Sequence, residues 1–304
     1  MAINTAQIKN LLEPGLWKVA GMYDNMPNYW NKMGFKVRKS TLATERKAQM
    51  RFLGLAQIKT EGGATSFDNS SGQRFVFSAT TFEVGLGYAI TRKSIDDNQY
   101  TSDFNQNNLG LANSFKQFKE IQAANIFNTG TTYDANVGGD GQALFSTAHP
   151  YDGGTWANRF TTDLDLNESS LLQACLNIQQ NFVDEAGLKV AANAEKLLVP
   201  IQLIPTAERL TKSELRPGTA NNDVNAIRTM PGGLTDYVAN RYFTTNTYWF
   251  IKTDLEGLDM WERVKFETSM WTDDVTDNLL VKAYERYTPA YSDPRAAYGS
   301  FPSS

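Results

Sequence analysis

Three observations predict an α+β fold. One segment alternates apolar and polar residues strictly, one helical stretch is unusually long, and the later strands follow one another without the βαβ rhythm of a doubly wound sheet. Composition agrees: 41% hydrophobic and 20% charged residues over 304 positions are enough for one or two cores.

The first 45 residues are not a compact unit. "EPGLWKVAGMYDNMPNYWNKMG" mixes turn residues with Trp17, Tyr23, Tyr29 and Trp30 and lacks periodicity. Such an arm buries its aromatics against the rest of the chain or against a neighbour. Residues 46–83, "RKAQMRFLGLAQIKTEGGATSFDNSSGQRFVFSATTFE", read as a long hairpin. Its strand-forming flanks carry Phe52, Leu55 and Ile58 on one side and Phe75 and Phe77 on the other, around a polar tip from Glu61 to Gly72. Arms of about 14 residues would reach roughly 45 Å, against a radius of gyration of about 19 Å for a compact chain of this size. The hairpin therefore folds back over the body or projects from it, and a projecting ribbon needs its open edges covered.

Phe82, Val84, Leu86, Tyr88 and Ile90 predict a half-buried strand, with Gly85 and Gly87 on its other face. A helix is expected over 103–128, with Asp103 as its cap, Leu111, Phe115, Phe118 and Ile121 as its apolar stripe, and Gly130 just past its end. A glycine-rich loop, "TTYDANVGGDGQALFSTAHPYDGGTW", leads to a second helix near 168–185 capped by Asn167. "EKLLVPIQLIP", "YWFIK", "VKFETSMW" and "DNLLVKAYERY" read as strands, and "ELRPGTANNDVNAIRTMPGG" as loop. There is no repeat of fixed period.

Site chemistry is sparse. Net charge is -4, with no basic excess to wrap nucleic acid, so contact with DNA is expected to be weak or local. A single cysteine, Cys175, precludes an intrachain disulfide and fits a reducing compartment. The N-terminus lacks the charged and apolar regions of a secretory signal, and no 18-residue apolar run could span a membrane. His149, the only histidine, lies three positions after Ser146 and nine after Asp140. A triad needs the imidazole between nucleophile and carboxylate, beside an oxyanion hole. With no G-x-S-x-G elbow, His149 is expected to satisfy loop carbonyls and Pro150 to fix the exit of a turn. One His and one Cys cannot build the usual structural zinc site. Asp163, Asp165 and Asn167 begin like a calcium loop, but Glu168 and Ala174 occupy the glycine and bidentate-Glu positions. "GLGYAI" lacks the third glycine of a dinucleotide fingerprint. Carboxylate pairs such as Glu262 with Glu267, or Asp273 with Asp274, leave a hydrolase as an alternative without a signature. No catalytic, cofactor-binding or metal-ligating residue is assigned, and no cofactor is expected.

Three stretches carry a family resemblance: "VGLGYAITRKSIDDNQY" before the long helix, "FNTGTTYDANVGGDGQALFSTAHP" after it, and the C-terminal "DNLLVKAYERYTPAYSDPRAAYGS". In this order they resemble the major capsid protein of tailed bacteriophages, and most of all the Mu-like major head subunit group. The resemblance implies an N-terminal arm (1–45), an extended two-stranded loop (46–83), a peripheral domain (84–154) with a spine helix (103–128), an axial domain (155–280) and a C-terminal return strand and tail of the peripheral domain (281–304). It implies a virion structural protein that assembles in the host cytoplasm as hexamers and pentamers of an icosahedral head, encloses double-stranded DNA, and matures by expansion. Implied partners are further copies of the chain, a portal protein, a possible cement protein, packaged DNA held weakly, and a separate scaffolding protein, since the arm starts at Met1. No membrane is involved. Arg51, Lys59, Glu61 and Arg74 are the residues expected to make intersubunit salt bridges from the loop, and Trp17, Tyr29 and Trp30 intersubunit contacts from the arm. A tail tube subunit is the second reading; tube subunits are usually shorter and lack the long helix.

Overall fold

The computed structural model describes residue 23 and residues 27–97, 100–215 and 223–303. The first sheet has the strand order β1–β10–β11–β4, with β1 Lys36–Lys39, β4 Phe82–Ile90, β10 Leu258–Thr272 and β11 Leu279–Tyr291. β11 is antiparallel to both β10 and β4, and β1 runs parallel to β10. Across one face lies a 29-residue helix, Tyr100–Asn128 (α3), beginning three residues before the expected start. Phe104, Leu111, Ala112 and Phe115 pack it onto Ile90, Met270, Leu279, Val281 and Ala283. Among the described residues, two earlier segments form short helices, α1, Tyr29–Lys32, and α2, Arg92–Asp96.

The second sheet has the order β12–β9–β7–β8, with β7 Ala194–Pro200, β8 Tyr237–Asn240, β9 Trp249–Thr253 and β12 Ala297–Ser300. It is covered by α4, Glu168–Asn181, whose Leu171, Ala174, Cys175 and Ile178 are wholly buried against Leu197, Val199, Trp249 and Ile251. Asn167 caps α4 as expected: its side chain accepts from Ser170 N at 2.9 Å, and Ser170 Oγ accepts from Asn167 N at 3.0 Å, a reciprocal capping box. Burial pushes the Cys175 thiol up to about 12. The apolar run after β7 does not continue as strand. Pro205 sits in the first turn of a helix, α5 (Ile204–Lys212), where its missing N–H costs nothing. Part of the expected loop before β8 is a four-residue helix, α6 (Ala226–Thr229).

The expected division of the chain cuts across both sheets. β10 falls within 155–280, yet pairs along its length with β11 because the two form one long hairpin. β12 falls within 281–304, yet pairs with β9 in the other sheet. The two sheets meet around Phe127, near the C-terminus of α3, whose ring lies 5.2–6.1 Å from those of Phe35, Phe145, Phe243 and Phe250.

The glycine-rich segment after α3 works by close approach. A Cβ on Gly130 would stand 2.5 Å from the Phe145 ring, and one on Gly139 would stand 2.6 Å from the backbone of Val76 and Phe77. Gly130 thus admits a core phenylalanine and does not serve as a left-handed cap.

Candidate intersubunit surface

β2 (Thr44–Arg51) and β3 (Gly72–Thr80) pair antiparallel as the base of the expected hairpin. The ladder is shorter than the sequence suggests, because residues 52–71 make no strand. Gly72 opens β3 at φ 157°, where regular pairing begins. Beyond it the loop exposes apolar side chains: Ile58 is fully exposed, Phe67 84%, Leu55 80% and Phe52 70%. Among the described residues nothing covers these side chains, a pattern that marks contact surface.

The loop is pinned internally. Asp68 accepts from Gly54 N and Ser70 N at 2.8 Å each and faces Arg51 at 3.3 Å. The two backbone donors, Gly54 first, hold its carboxyl well below the usual carboxylate range. Lys59 and Glu61 lie exposed at the tip. Arg51 and Arg74 differ from expectation. Both find partners in their own chain: Arg51 Nε donates to Asp152 at 3.1 Å, and Arg74 Nε lies 3.5 Å from Glu185. The cause is the short ladder, which leaves both arginines beside the body.

The arm residues divide likewise. Trp17 lies outside the described residues. Trp30 is corrected: it is buried in the chain's own core, with Lys119 Nζ 5.6 Å from the centre of its ring. Tyr29 is half-buried at the start of α1. Both are tied down by Glu120, whose carboxylate accepts from Tyr29 N at 2.8 Å and Trp30 N at 2.9 Å.

Sequence reasoning missed the ionic cluster beneath this anchor. Lys119, 2% exposed, donates to Glu285 at 2.6 Å and Glu262 at 2.7 Å. Tyr23 donates to Glu285 at 3.0 Å, and its ring stacks on Phe266 at 4.5 Å. Burial raises the carboxyls of Glu285 and Glu120 above their ordinary value, although the neighbouring cations oppose it. The signal was present. Ala112, Phe115, Lys116, Lys119, Ala123 and Phe127 recur at helical spacing, and the lysines belong to that buried stripe. Phe118 and Ile121, expected in the stripe, lie on the exposed side.

His149 is wholly buried at the start of β5 (His149–Tyr151), paired with β6 (Gly154–Trp156) and stacked on Trp156 at 4.6 Å. Its partners are not loop carbonyls. Nδ1 meets Asp140 Oδ2 at 2.7 Å, and Nε2 meets Asn158 Oδ1 at 3.1 Å. Asn158 uses its amide nitrogen on the carbonyls of Leu144, Pro294 and Ala297, which fixes its oxygen toward the ring. Ser146 bonds instead to Gln142 and Ala148 N. The imidazole nitrogen that a triad would aim at serine is thus occupied by an amide. Pro150 lies in β5, within the strand pairing instead of in a turn. Glu262 is neutralised by Lys119 and Glu267 is exposed on the sheet, so that pair shares no site. Among the described residues no cluster of His, Cys, Asp and Glu could hold a metal, and no helix is long and apolar enough to cross a membrane.

Solved structures with this arrangement are shell proteins. The chain aligns with the capsid of a native GTA particle at a TM-score of 0.58 and 11% identity, covering 91% of this chain and 92% of that one. For the mature capsid of bacteriophage PhiM1 the values are 0.52 and 11%, over 90% and 87%. For the procapsid of bacteriophage JBD30 they are 0.51 and 14%, over 99% and 77%. Identities this low establish the capsid fold alone, and no curated protein sequence matches. Family membership comes from the sequence: residues 76–300 match the model of the phage capsid protein family. The chain belongs to that family, and it is a structural protein of the virion capsid.

Proposed function

We propose that this chain is the shell-forming major head subunit, whose copies associate as hexamers and pentamers of a closed icosahedral head around double-stranded DNA. The observation that carries this reading is the loop of residues 52–71, which exposes Phe52, Leu55, Ile58 and Phe67 beyond the end of its ladder. A neighbouring copy is the surface that covers them, with Lys59 and Glu61 available to pair across the contact. Each exposed charge pair contributes about 0–1 kcal/mol, so the apolar residues supply most of the affinity. The sheet carrying α3 is assigned to the peripheral part of the subunit, and the sheet carrying α4 to the part nearest the capsomer centre. Scaffolding, portal and cement proteins are the further partners, and contact with packaged DNA is weak, as the net charge of -4 favours.

The test replaces residues 53–70 with a short turn and examines the particles by electron microscopy, with any cognate scaffold co-expressed. Uniform closed shells from the shortened chain would sink the clasping role of the loop. Stacked rings forming tubes from the unaltered chain would favour a tail tube subunit instead.

A further inference from the structure

One chain of charges runs from the exposed loop into the buried interior. Asp68, which pins the loop, faces Arg51 at 3.3 Å. Arg51 reaches Asp152 at 3.1 Å, and Arg74 stands 3.9 Å from the other oxygen of Asp152. Arg74 also stands 3.5 Å from Glu185. Glu185 accepts from Arg295 at 2.6 Å, and Arg295 donates to the Val183 carbonyl at 2.6 Å with its guanidinium 5.0 Å from the ring centre of Trp156.

The placement of these groups differs from that of ordinary surface pairs. Arg51 stands at the last rung of the ladder, opposite Gly72, where regular pairing ends, and Arg74 sits at the bulge between the Gln73 and Phe75 pairs. Asp152 is the turn between β5 and β6, and its backbone N–H donates to the Glu185 carbonyl at 3.1 Å. Glu185 and Arg295 are each only about 4% exposed. The buried Glu185–Arg295 pair therefore presents one carboxylate to Arg74, and the half-exposed Asp152 presents a second to both arginines. Nothing else among the described contacts of Arg51 or Arg74 ties the end of the ladder to the body.

The geometry points to Asp152 and Glu185 as positioning residues that set the direction in which the extended loop leaves the subunit, and through it the curvature at which neighbouring copies meet. This rests on the shell-forming reading above. The network is partly exposed at Asp152, so its contribution to folding is small; its effect is on angle. A two-stranded ribbon is easily tilted, and small changes of tilt at a long lever move the tip by several ångströms.

The experiment compares wild type with Asp152→Lys, Asp152→Glu and the control Asp236→Lys, which removes the exposed Lys212–Asp236 pair at 3.2 Å far along the chain from the hairpin. Particles are sized by electron microscopy, thermal unfolding is followed by circular dichroism, and hydrogen exchange is read over residues 44–80. The expected result is that Asp152→Lys melts with wild type, exchanges several-fold faster at the end of the ladder, and gives particles of mixed curvature. Asp152→Glu restores uniform shells, and Asp236→Lys never loses them. If Asp152→Lys melts early, the neutral isostere Asp152→Asn is read in its place. Uniform shells and unchanged exchange in the substituted protein would overturn the assignment while leaving the shell function intact. Failure of wild type to close shells would instead overturn that function, and the exchange data would still decide whether Asp152 holds the ladder.

Discussion

The long helix and the extended loop invert the usual partition of residues. Helix α3 turns Lys116, Lys119 and Glu120 inward, while its exposed face from Gln106 to Ile121 carries no charge. The loop turns Phe52, Leu55, Ile58 and Phe67 outward. The difference teaches where each region's partner is. Of these, Lys119 is matched by Glu262 and Glu285 and Glu120 by the backbone of the arm, while Lys116 lies over the Tyr23 ring, so the partners of these charges lie within one chain. The loop's apolar residues have no such match among the described residues, and under the shell-forming reading a neighbouring copy completes that region.

The comparison can be broken at its strongest point first. Lys119→Met removes the cation from two carboxylates and should cost about 3–5 kcal/mol, because an uncompensated buried charge remains. Chemical denaturation measures it, and adding Glu285→Gln should recover part of the loss. His149→Ala should cost about 2–3 kcal/mol by stranding the buried Asp140 carboxylate oxygen that meets the imidazole. The loss would be of folding, read by the unfolding midpoint.

A pH titration sharpens the contrast. Burial raises Glu120, Glu185 and Glu285 in the folded chain. Their favourable contribution is therefore fully present below the ordinary carboxylate range and is lost as pH rises through their raised values. Asp68 in the loop is lowered, so its contribution is present above that range and lost as pH falls. Hydrogen exchange on acidification below the ordinary carboxylate range should therefore rise in residues 52–71 before it rises in α3. The smallest effect on folding is expected from Ile58→Ser with Phe67→Ser, within about 0.5 kcal/mol of wild type, although the same double variant should abolish closed shells. A large loss of stability there would mean that the loop packs on its own chain.

Elements with one dominant period were legible in the sequence. Phe82 to Ile90 is a strand, Asn167 opens a helix, and the long helix spans nearly its expected range. What escaped was decided by contacts distant in sequence. Nothing near Arg51 or Arg74 announces Asp152 or Glu185 as partners. Nothing near His149 shows that Asn158 turns its oxygen to the ring, because three carbonyls from two other segments set that amide. Trp30 was read as arm because its own neighbourhood lacks periodicity, and its burial depends on Glu120, 90 residues away. The candidate surface was legible in outline, as a hairpin too long to fold flat, but the end of its ladder was not.

The solitary thiol has a practical corollary. Cys175 is sealed on the buried face of α4, against the second sheet, and held in its unreactive form. A cysteine introduced at the tip of the extended loop would then be the sole accessible nucleophilic sulfur per subunit. A particle built from such chains could be derivatised at one defined address, repeated with the symmetry of the lattice.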